Sequence, residues 1–242
     1  MKINVVIPMA GAGSRFTQAG YTKPKPFIDV IGMPMIQHVL KNIYVEGMHF
    51  ILIAQQRHIE QESQTVTTLS QKYPITWIPI EKQTEGATCT VLYSHREINN
   101  STPLLIANSD QIVDMDFNAY IQDMVARQLD GSIVTFYAND PKWSYAKLNE
   151  KNLVTEVKEK ECISSFATAG IYLFKEGKIF VDSAIDMITR NERVNNEFYV
   201  APTYNQAIKR GKNFGIYPID ASLMHGTGTP QDLDLYLKFL ER

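Results

Sequence analysis

Residues 2–15 read KINVVIPMAGAGSR, and this stretch decides the fold. The apolar run over residues 2–8 predicts a buried strand, and the glycines that follow predict a tight loop. A glycine-rich loop directly after a strand lets backbone N–H groups approach phosphate oxygens without obstruction from side chains. The stretch therefore favours an α/β protein in which the first loop can bind an anion.

Short apolar runs alternate with helix-period segments along the chain, as in a mainly parallel sheet wrapped by helices. Further strands are predicted over residues 50–54, 75–80, 104–107, 132–137 and 214–219. Helices are predicted from Pro34, between residue 54 and about Lys72, over residues 117–129, over residues 203–210 with a cap near Asn195 and Asn196, and from Thr229. We expect a Rossmann-like, mixed sheet in one domain over residues 1–242, with a small antiparallel subregion at about 140–175.

Composition limits the partners that the protein can have. The 242 residues are 44% hydrophobic and 21% charged with a net charge of −2, so no basic excess indicates a nucleic-acid or membrane-surface partner. The two cysteines, Cys89 and Cys162, are too few for a disulfide framework and too far apart for a zinc knuckle. No apolar run approaches the roughly 18 residues of a membrane span. We expect a cytoplasmic protein.

The glycine loop is weak evidence of phosphate binding by itself. Phe16 stands where the dinucleotide fingerprint has a third glycine, and the Gly-Lys-Ser/Thr of a P-loop is missing. Two cationic side chains, Arg15 and Lys25, strengthen the prediction. A planar guanidinium and a compact ammonium beside one loop suit a triphosphate.

A resemblance to a known family is carried by two neighbouring motifs. Gly11-Ala12-Gly13-Ser14-Arg15-Phe16 followed by Pro24-Lys25-Pro26 resembles the signature of sugar-phosphate nucleotidyltransferases, the nucleoside-diphosphate-sugar pyrophosphorylases. The resemblance implies that Arg15 and the loop backbone hold the nucleotide phosphates, and that Lys25 neutralises charge near the α-phosphorus. The nucleotide-binding loop residues that it implies are Ala10, Gly11, Ala12, Gly13 and Ser14.

Two further segments resemble the nucleotide half of that family. Gln83, Gly86 and Ala87 match the loop that receives the base, although a simple loop at a helix N-terminus would look the same. Asp110 follows a strand and matches the family's metal-binding aspartate, which implies Mg²⁺ as the cofactor. A helix cap or turn residue is the alternative for Asp110. The nearby Asp114 and Asp116 fit a solvated loop or an N-cap better.

The acceptor half of the family is matched less closely. The resemblance implies five substrate-binding residues: Tyr145, Glu159, Lys160, Thr168 and Gly170. His225 is added as a candidate that could face the sugar. Glu159 and Lys160 lie in a charge run over residues 156–161, and such runs are usually solvated faces. Gly226 stands where the family has a second metal-binding aspartate. Asp220 or His225 could compensate, or Asp110 could hold the ion with phosphates and water.

The resemblance implies transfer of a nucleoside monophosphate from a nucleoside triphosphate to a phosphorylated sugar or polyol, with release of pyrophosphate. CTP or UTP is favoured, and the anionic acceptor phosphate needs no catalytic base. It also implies nucleotide-sugar synthesis for bacterial capsular polysaccharide and a homo-oligomer as one expected state. Two alternatives stay open: a glycosyltransferase with an Asp114-Met115-Asp116 motif, and a nucleotide-sensing module without turnover.

Overall fold

The computed structural model describes residues 1–241. Its strands are β1 Ile3–Pro8, β2 Asp29–Val30, β3 Met33–Pro34, β4 Met48–Gln55, β5 Ile75–Ile80, β6 Leu104–Ala107, β7 Gln111–Val113, β8 Gly131–Tyr137, β9 Ser144–Leu148, β10 Val154–Glu159, β11 Phe166–Phe174, β12 Phe214–Pro218 and β13 Met224–Gly226. Its α-helices are α1 Ser14–Gln18, α2 Met35–Ile43, α3 Gln56–Gln61, α4 Ser63–Lys72, α5 Ala87–Val91, α6 His95–Ile98, α7 Phe117–Ala126, α8 Gly177–Thr189, α9 Thr203–Lys209 and α10 Pro230–Leu240.

A nine-stranded mixed sheet forms the centre of the fold. In its parallel half, β1 lies between β4 and β6, and β5 extends the sheet beyond β4. In the other half, β11 runs antiparallel to β6, β8 and β9, with β10 beyond β9 and β12 parallel to β8. The expected Rossmann-like α/β architecture is therefore confirmed.

The antiparallel strands predicted around residues 140–175 are continuous with the main sheet. The C-terminal part of β11 pairs with β6, whereas Ala167 near its start pairs with Tyr145 of β9. Gly170 lies between these two parts, where the pairing with β8 is irregular, and has a φ of 72°. This left-handed backbone, which glycine adopts at little cost, lets one strand serve both halves of the sheet.

Apolar layers cover both faces of the sheet, because alternate side chains of each strand point in opposite directions. On one face, Val5 and Ile7 of β1 pack with residues of α2, α7 and α10. On the other face, Val6 and Ile53 pack with residues of α8 and α9. The polar ends of the strands are left to form a cleft at one edge.

The structure corrects several element boundaries. Helix α2 begins at Met35, since Pro34 is still extended with a ψ of 145°. The polar helix after β4 is divided into α3 and α4. Asn195 and Asn196 do not cap α9, which begins at Thr203, because both have left-handed backbone in a separate turn. Helix α8 was not predicted. No helix within residues 1–241 combines the length and apolar character that crossing a membrane requires.

Candidate functional site

The glycine loop leaves the carboxyl end of β1 and turns directly into α1. Gly13 adopts φ 63° at the N-terminus of this helix, and a Cβ there would lie 3.3 Å from Lys25 Cβ. The Gln55 side chain, from the end of β4, donates a 2.7 Å hydrogen bond to the carbonyl oxygen of Ala10. Ser14 and Arg15 open the helix and face the cleft described below. Backbone and side-chain donors are therefore held together at the sheet edge.

An ion pair joins the segment after the loop to the end of β6. Lys25 Nζ lies 2.5 Å from Asp110 Oδ2, and the two side chains are 19% and 23% exposed. The carbonyl oxygen of Asp110 also accepts hydrogen bonds from Thr227 N at 2.7 Å and Thr227 Oγ1 at 3.0 Å. These contacts fix Asp110 between the loop and the C-terminal segment.

A cleft of about 820 Å³ connects these groups with the antiparallel half of the sheet. Its lining includes Arg15, Lys25 and Asp110 on one side and Glu159 and Lys160 on the other. All three residues predicted to be catalytic and two predicted to bind the acceptor thus face one space. The short alternating charge run at residues 156–161 is not wholly solvated, because Glu159 is half-buried at the cleft wall.

A smaller cavity of about 170 Å³ opens beside the glycine loop. The predicted nucleotide-binding residues in its lining are Ala10, Gly11, Gln83, Gly86 and Ala87. Gly86 has φ 123°, and a Cβ there would lie 2.5 Å from the backbone nitrogen of Phe198. Only glycine lets the two chain segments approach this closely. Ala12 is exposed in the loop.

An inner cavity of about 190 Å³ lies between the cleft and β11. Three of the residues predicted to bind the acceptor, Glu159, Thr168 and Gly170, contribute to its lining. Burial raises the pKa of the Glu159 carboxyl, which also accepts a hydrogen bond from the Ser144 hydroxyl. Polar groups in a small enclosed space can select an acceptor by its hydroxyl pattern.

Lys160 lies at the mouth of the same region and contacts an aromatic residue that the sequence did not reveal. Its ammonium donates a 2.8 Å hydrogen bond to the Tyr199 hydroxyl and lies 4.9 Å from the centre of that ring. This hydrogen bond is the main cause of the raised pKa of Lys160. The residue therefore presents a fixed positive charge to the cleft.

Two predicted acceptor residues, Tyr145 and His225, line neither the cleft nor the inner cavity. Tyr145 is fully buried, and its hydroxyl donates to the carbonyl oxygen of Asp140 at 2.8 Å. His225 lies 3.1 Å from Asp114 Oδ2 and stacks on Phe239 at a centroid distance of 4.1 Å. Tyr145 follows Ser144, which lines the inner cavity, and His225 precedes Gly226, which lines the cleft. Neighbouring residues of a strand point to opposite faces, so the side chains of Tyr145 and His225 point away.

The other acidic residues considered from the sequence have structural roles. Asp116 accepts a hydrogen bond from Asn118 N at 2.8 Å as the N-cap of α7, whereas Asp114 pairs with His225. Asp220 caps a short turn through Ser222. The Asp-x-Asp arrangement of a glycosyltransferase is therefore not formed. Within residues 1–241, no group of three or more His, Cys, Asp or Glu side chains could hold a metal ion.

Sequence reasoning missed several residues that line the cleft and the inner cavity. Those that line both spaces are Gln111, Lys142, Trp143 and Tyr199. Lys142 Nζ lies 5.0 Å from the centre of the Trp143 ring. Lys142 and Trp143 could have been predicted from their place directly before the predicted acceptor strand. No sequence feature near Tyr199 indicated that it lines the site.

Comparison with known families and proteins gives a consistent result. The model of a family described as nucleotidyl transferase matches residues 4–233. The chain is 25% identical over 174 residues to the catalytic subunit beta of mannose-1-phosphate guanylyltransferase from Drosophila melanogaster, covering 70% of this chain and 47% of that protein. It is 24% identical over 252 residues to the bifunctional protein GlmU of Thermodesulfovibrio yellowstonii, covering 98% and 52%. The chain thus spans about half the length of the curated relatives it matches.

Solved structures share the fold over nearly the whole chain. A nucleoside-diphosphate-sugar pyrophosphorylase from Vibrio cholerae RC9 superposes with a TM-score of 0.84 at 23% identity, covering 97% of this chain and 99% of that one. The inositol-1-phosphate CTP transferase from T. maritima gives a TM-score of 0.76 at 13% identity, covering 98% and 94%. At these identities the likeness concerns the fold.

Proposed function

Because the chain belongs to the nucleotidyl transferase family, we propose that it transfers a nucleoside monophosphate from a nucleoside triphosphate to a phosphorylated sugar or polyol and releases pyrophosphate. The single cleft that contains Arg15, Lys25, Asp110, Glu159 and Lys160 is the main support. It lets phosphate-binding and acceptor-binding groups face each other across the space where a reacting phosphorus would lie. Residues 1–242 act as one domain in this proposal.

The chemistry is an in-line displacement at the α-phosphorus by an oxygen of the acceptor phosphate. That oxygen is already anionic near neutral pH, so the reaction needs no general base. Catalysis depends on holding two anions in line and on neutralising the charge of the transition state. The guanidinium of Arg15 and the loop N–H groups bind the triphosphate, and Lys25 stabilises charge at the reacting phosphorus.

The residues at the end of β6 fit a magnesium ion. The Asp110 carboxylate already binds a cationic group, the Lys25 ammonium, and is accessible from the cleft. Gly228 leaves space beside it, since a Cβ at that position would lie 3.1 Å from Asp110 Oδ2. Asp110 would hold Mg²⁺, which keeps several waters and neutralises phosphate charge when bound.

The base is a pyrimidine in this proposal, so CTP or UTP is the donor. Gln83 lies beside the glycine loop in the 170 Å³ cavity. Its side-chain amide offers both a donor and an acceptor, which can pair with the hydrogen-bonding edge of cytosine or uracil.

The acceptor is a phosphorylated molecule with hydroxyl groups. Glu159 and Thr168 in the inner cavity can bind hydroxyls, whereas Lys160 and Lys142 at its mouth can bind the phosphate. A nucleotide sugar made in this way suits polysaccharide synthesis in the cytoplasm, for which the family resemblance is the support.

The first test measures pyrophosphate release with Mg²⁺, each of CTP, UTP, dTTP, ATP and GTP, and a panel of sugar and polyol phosphates. One donor and one acceptor should give release, and Lys25→Ala and Asp110→Ala should each lower kcat/KM by roughly 10²- to 10³-fold. Lys23→Ala is the matched control, because Lys23 is exposed and lies 3.8 Å from Glu62. Nucleotide binding without release across the panel would instead identify a sensing module.

A further inference from the structure

Strand β13 lacks the carboxylate that the family resemblance implies at position 226. Gly226 occupies that position and lines the cleft. The two substitutes suggested by the sequence, Asp220 and His225, are engaged with Ser222 and Asp114. Asp110 would then be the only carboxylate for a divalent cation unless another residue reaches the same space.

Asp232 of helix α10 reaches that space. A Cβ on Gly226 would lie 3.9 Å from both Cβ and Cγ of Asp232, so a side chain at position 226 would point to the place where the Asp232 carboxylate now lies. A Cβ on Gly228 would lie 3.1 Å from Asp110 Oδ2 and 3.9 Å from Asp232 Oδ2. The two carboxylates therefore face one gap, which the glycines leave open.

The Asp232 carboxylate takes part in helix capping and can still bind a cation. The Thr229 hydroxyl donates to Asp232 Oδ2 at 2.7 Å, and Asp232 N donates back to Thr229 Oγ1 at 3.1 Å. These bonds stabilise the first turn of α10 and fix the orientation of the side chain. The bonded hydroxyl is neutral and, within residues 1–241, Asp232 forms no ion pair, whereas Asp110 pairs with the Lys25 ammonium.

The segment between Gly226 and helix α10 also holds Asp110 and Asp232 close together. Thr227, between the two glycines, is fully buried and binds the carbonyl oxygen of Asp110 through both its nitrogen and its hydroxyl. Helix α10 starts three residues later at Pro230. The first turn of α10 is thereby held against the end of β6 by short, buried contacts.

We infer that Asp232 is the second carboxylate of the metal site and that it replaces the side chain missing at position 226. Oxygen ligands from two carboxylates, completed by water and phosphate, suit Mg²⁺ or Mn²⁺. This inference rests on the metal-binding part of the proposed function. Gly226 and Gly228 serve it by keeping the gap between the carboxylates free of side chains.

The test measures Mn²⁺ binding to the full chain by water-proton relaxation enhancement, with Mn²⁺ alone and with CTP or UTP present. Asp232→Asn keeps a side-chain acceptor for the cap but removes the charge. It should weaken Mn²⁺ affinity by at least roughly 10-fold, because the loss of a residue that only supports a metal ligand already has an effect of that size. Asp234→Asn is the matched control, since Asp234 is exposed one position beyond Leu233 on the same helix, and it should bind Mn²⁺ like the wild type.

A rescue variant separates metal binding from folding. Gly226→Asp in the Asp232→Asn background should restore most of the lost affinity, because position 226 has ordinary space and no left-handed backbone. Thermal unfolding without metal should be nearly the same for all these variants.

The outcomes separate the inference from the proposed function. If Asp110→Asn weakens Mn²⁺ binding and Asp232→Asn does not, Asp232 only caps the helix and the proposed transferase stands. If the wild type shows no relaxation enhancement in any mixture, both the metal site and this inference are refuted. If Mn²⁺ binding follows Asp232 but no pyrophosphate is released, the site is right and the proposed reaction is not.

Discussion

Replacing Gly170 by alanine should measure how much the close contact between β11 and the Asn108–Gln111 pair contributes to stability. Gly170 has φ 72°, and an added Cβ would collide with Gln111 Oε1 and lie 2.5 Å from Asn108 Nδ2. Those two atoms form a 3.0 Å hydrogen bond with each other. The new methyl group would therefore force that pair apart or move the strand.

The size of the effect follows from these contacts. A left-handed backbone costs an L-residue about 1–2 kcal/mol. Loss of one hydrogen bond adds about 1 kcal/mol, so Gly170→Ala should lower the free energy of unfolding by about 2–3 kcal/mol. Gly211→Ala is the matched control, since Gly211 has φ 79° and no atom within 4 Å of its Cβ position. Gly211→Ala should lower the free energy of unfolding only by the backbone cost of about 1–2 kcal/mol.

Urea unfolding of both variants measures the difference. Losses that agree within about 0.5 kcal/mol would refute the idea that the Asn108–Gln111 contact requires a glycine. The same change should raise KM for the acceptor more than KM for the nucleotide, because Asn108 and Gly170 line the inner cavity and not the cleft, whereas Gln111 lines both. An equal rise in both constants would point to general loosening of the sheet.

Three further changes test other parts of the site. Burial holds the folded-state pKa of Glu159 above its unfolded value, so its ionisation lowers stability as pH rises through the folded pKa. Glu159→Gln should therefore have a higher Tm than the wild type near pH 7, and the two Tm values should converge below about pH 4. The same Tm difference at both pH values would contradict this explanation. Thr227→Val removes the 3.0 Å bond to the Asp110 carbonyl and should cost about 1 kcal/mol in urea unfolding with a lower kcat, unless the backbone bond alone suffices. Arg193→Ala breaks a 2.6 Å ion pair with Glu85 and should change stability by less than about 1 kcal/mol while raising KM for the nucleotide, and an unchanged KM would show that the pair does not order the base loop.

Much of the fold can be predicted from the sequence because the central strands are buried on both faces. The continuous apolar runs of β1, β4 and β6 contain few polar interruptions and are bounded by turn residues. Helix α8 lacks such signals. Glu176 forms no side-chain cap bond and Gly177 occupies the first helical position, so no residue at its start marks this helix in the sequence.

The glycine loop and its two cations, Arg15 and Lys25, are predictable because they lie within one short stretch of the sequence. The acceptor half depends on which face each strand residue presents. Ser144 lines the inner cavity and Gly226 lines the cleft, whereas their neighbours Tyr145 and His225 point away, and a motif match cannot resolve a shift of one residue. Asp232 is visible in the sequence only as an acid in the first turn of a helix, because its place beside Asp110 results from tertiary folding.

Strand β11 has a consequence for the choice of acceptor. One continuous chain segment pairs with the nucleotide half at Tyr172 and with the acceptor half at Ala167. In the proposed reaction, the distance between the nucleotide-binding and acceptor-binding groups follows from a single strand, with a rise of about 3.3 Å per residue. An acceptor that is longer or shorter by one carbon between its phosphate and its recognised hydroxyl is then expected to place its phosphate out of line with the reacting phosphorus.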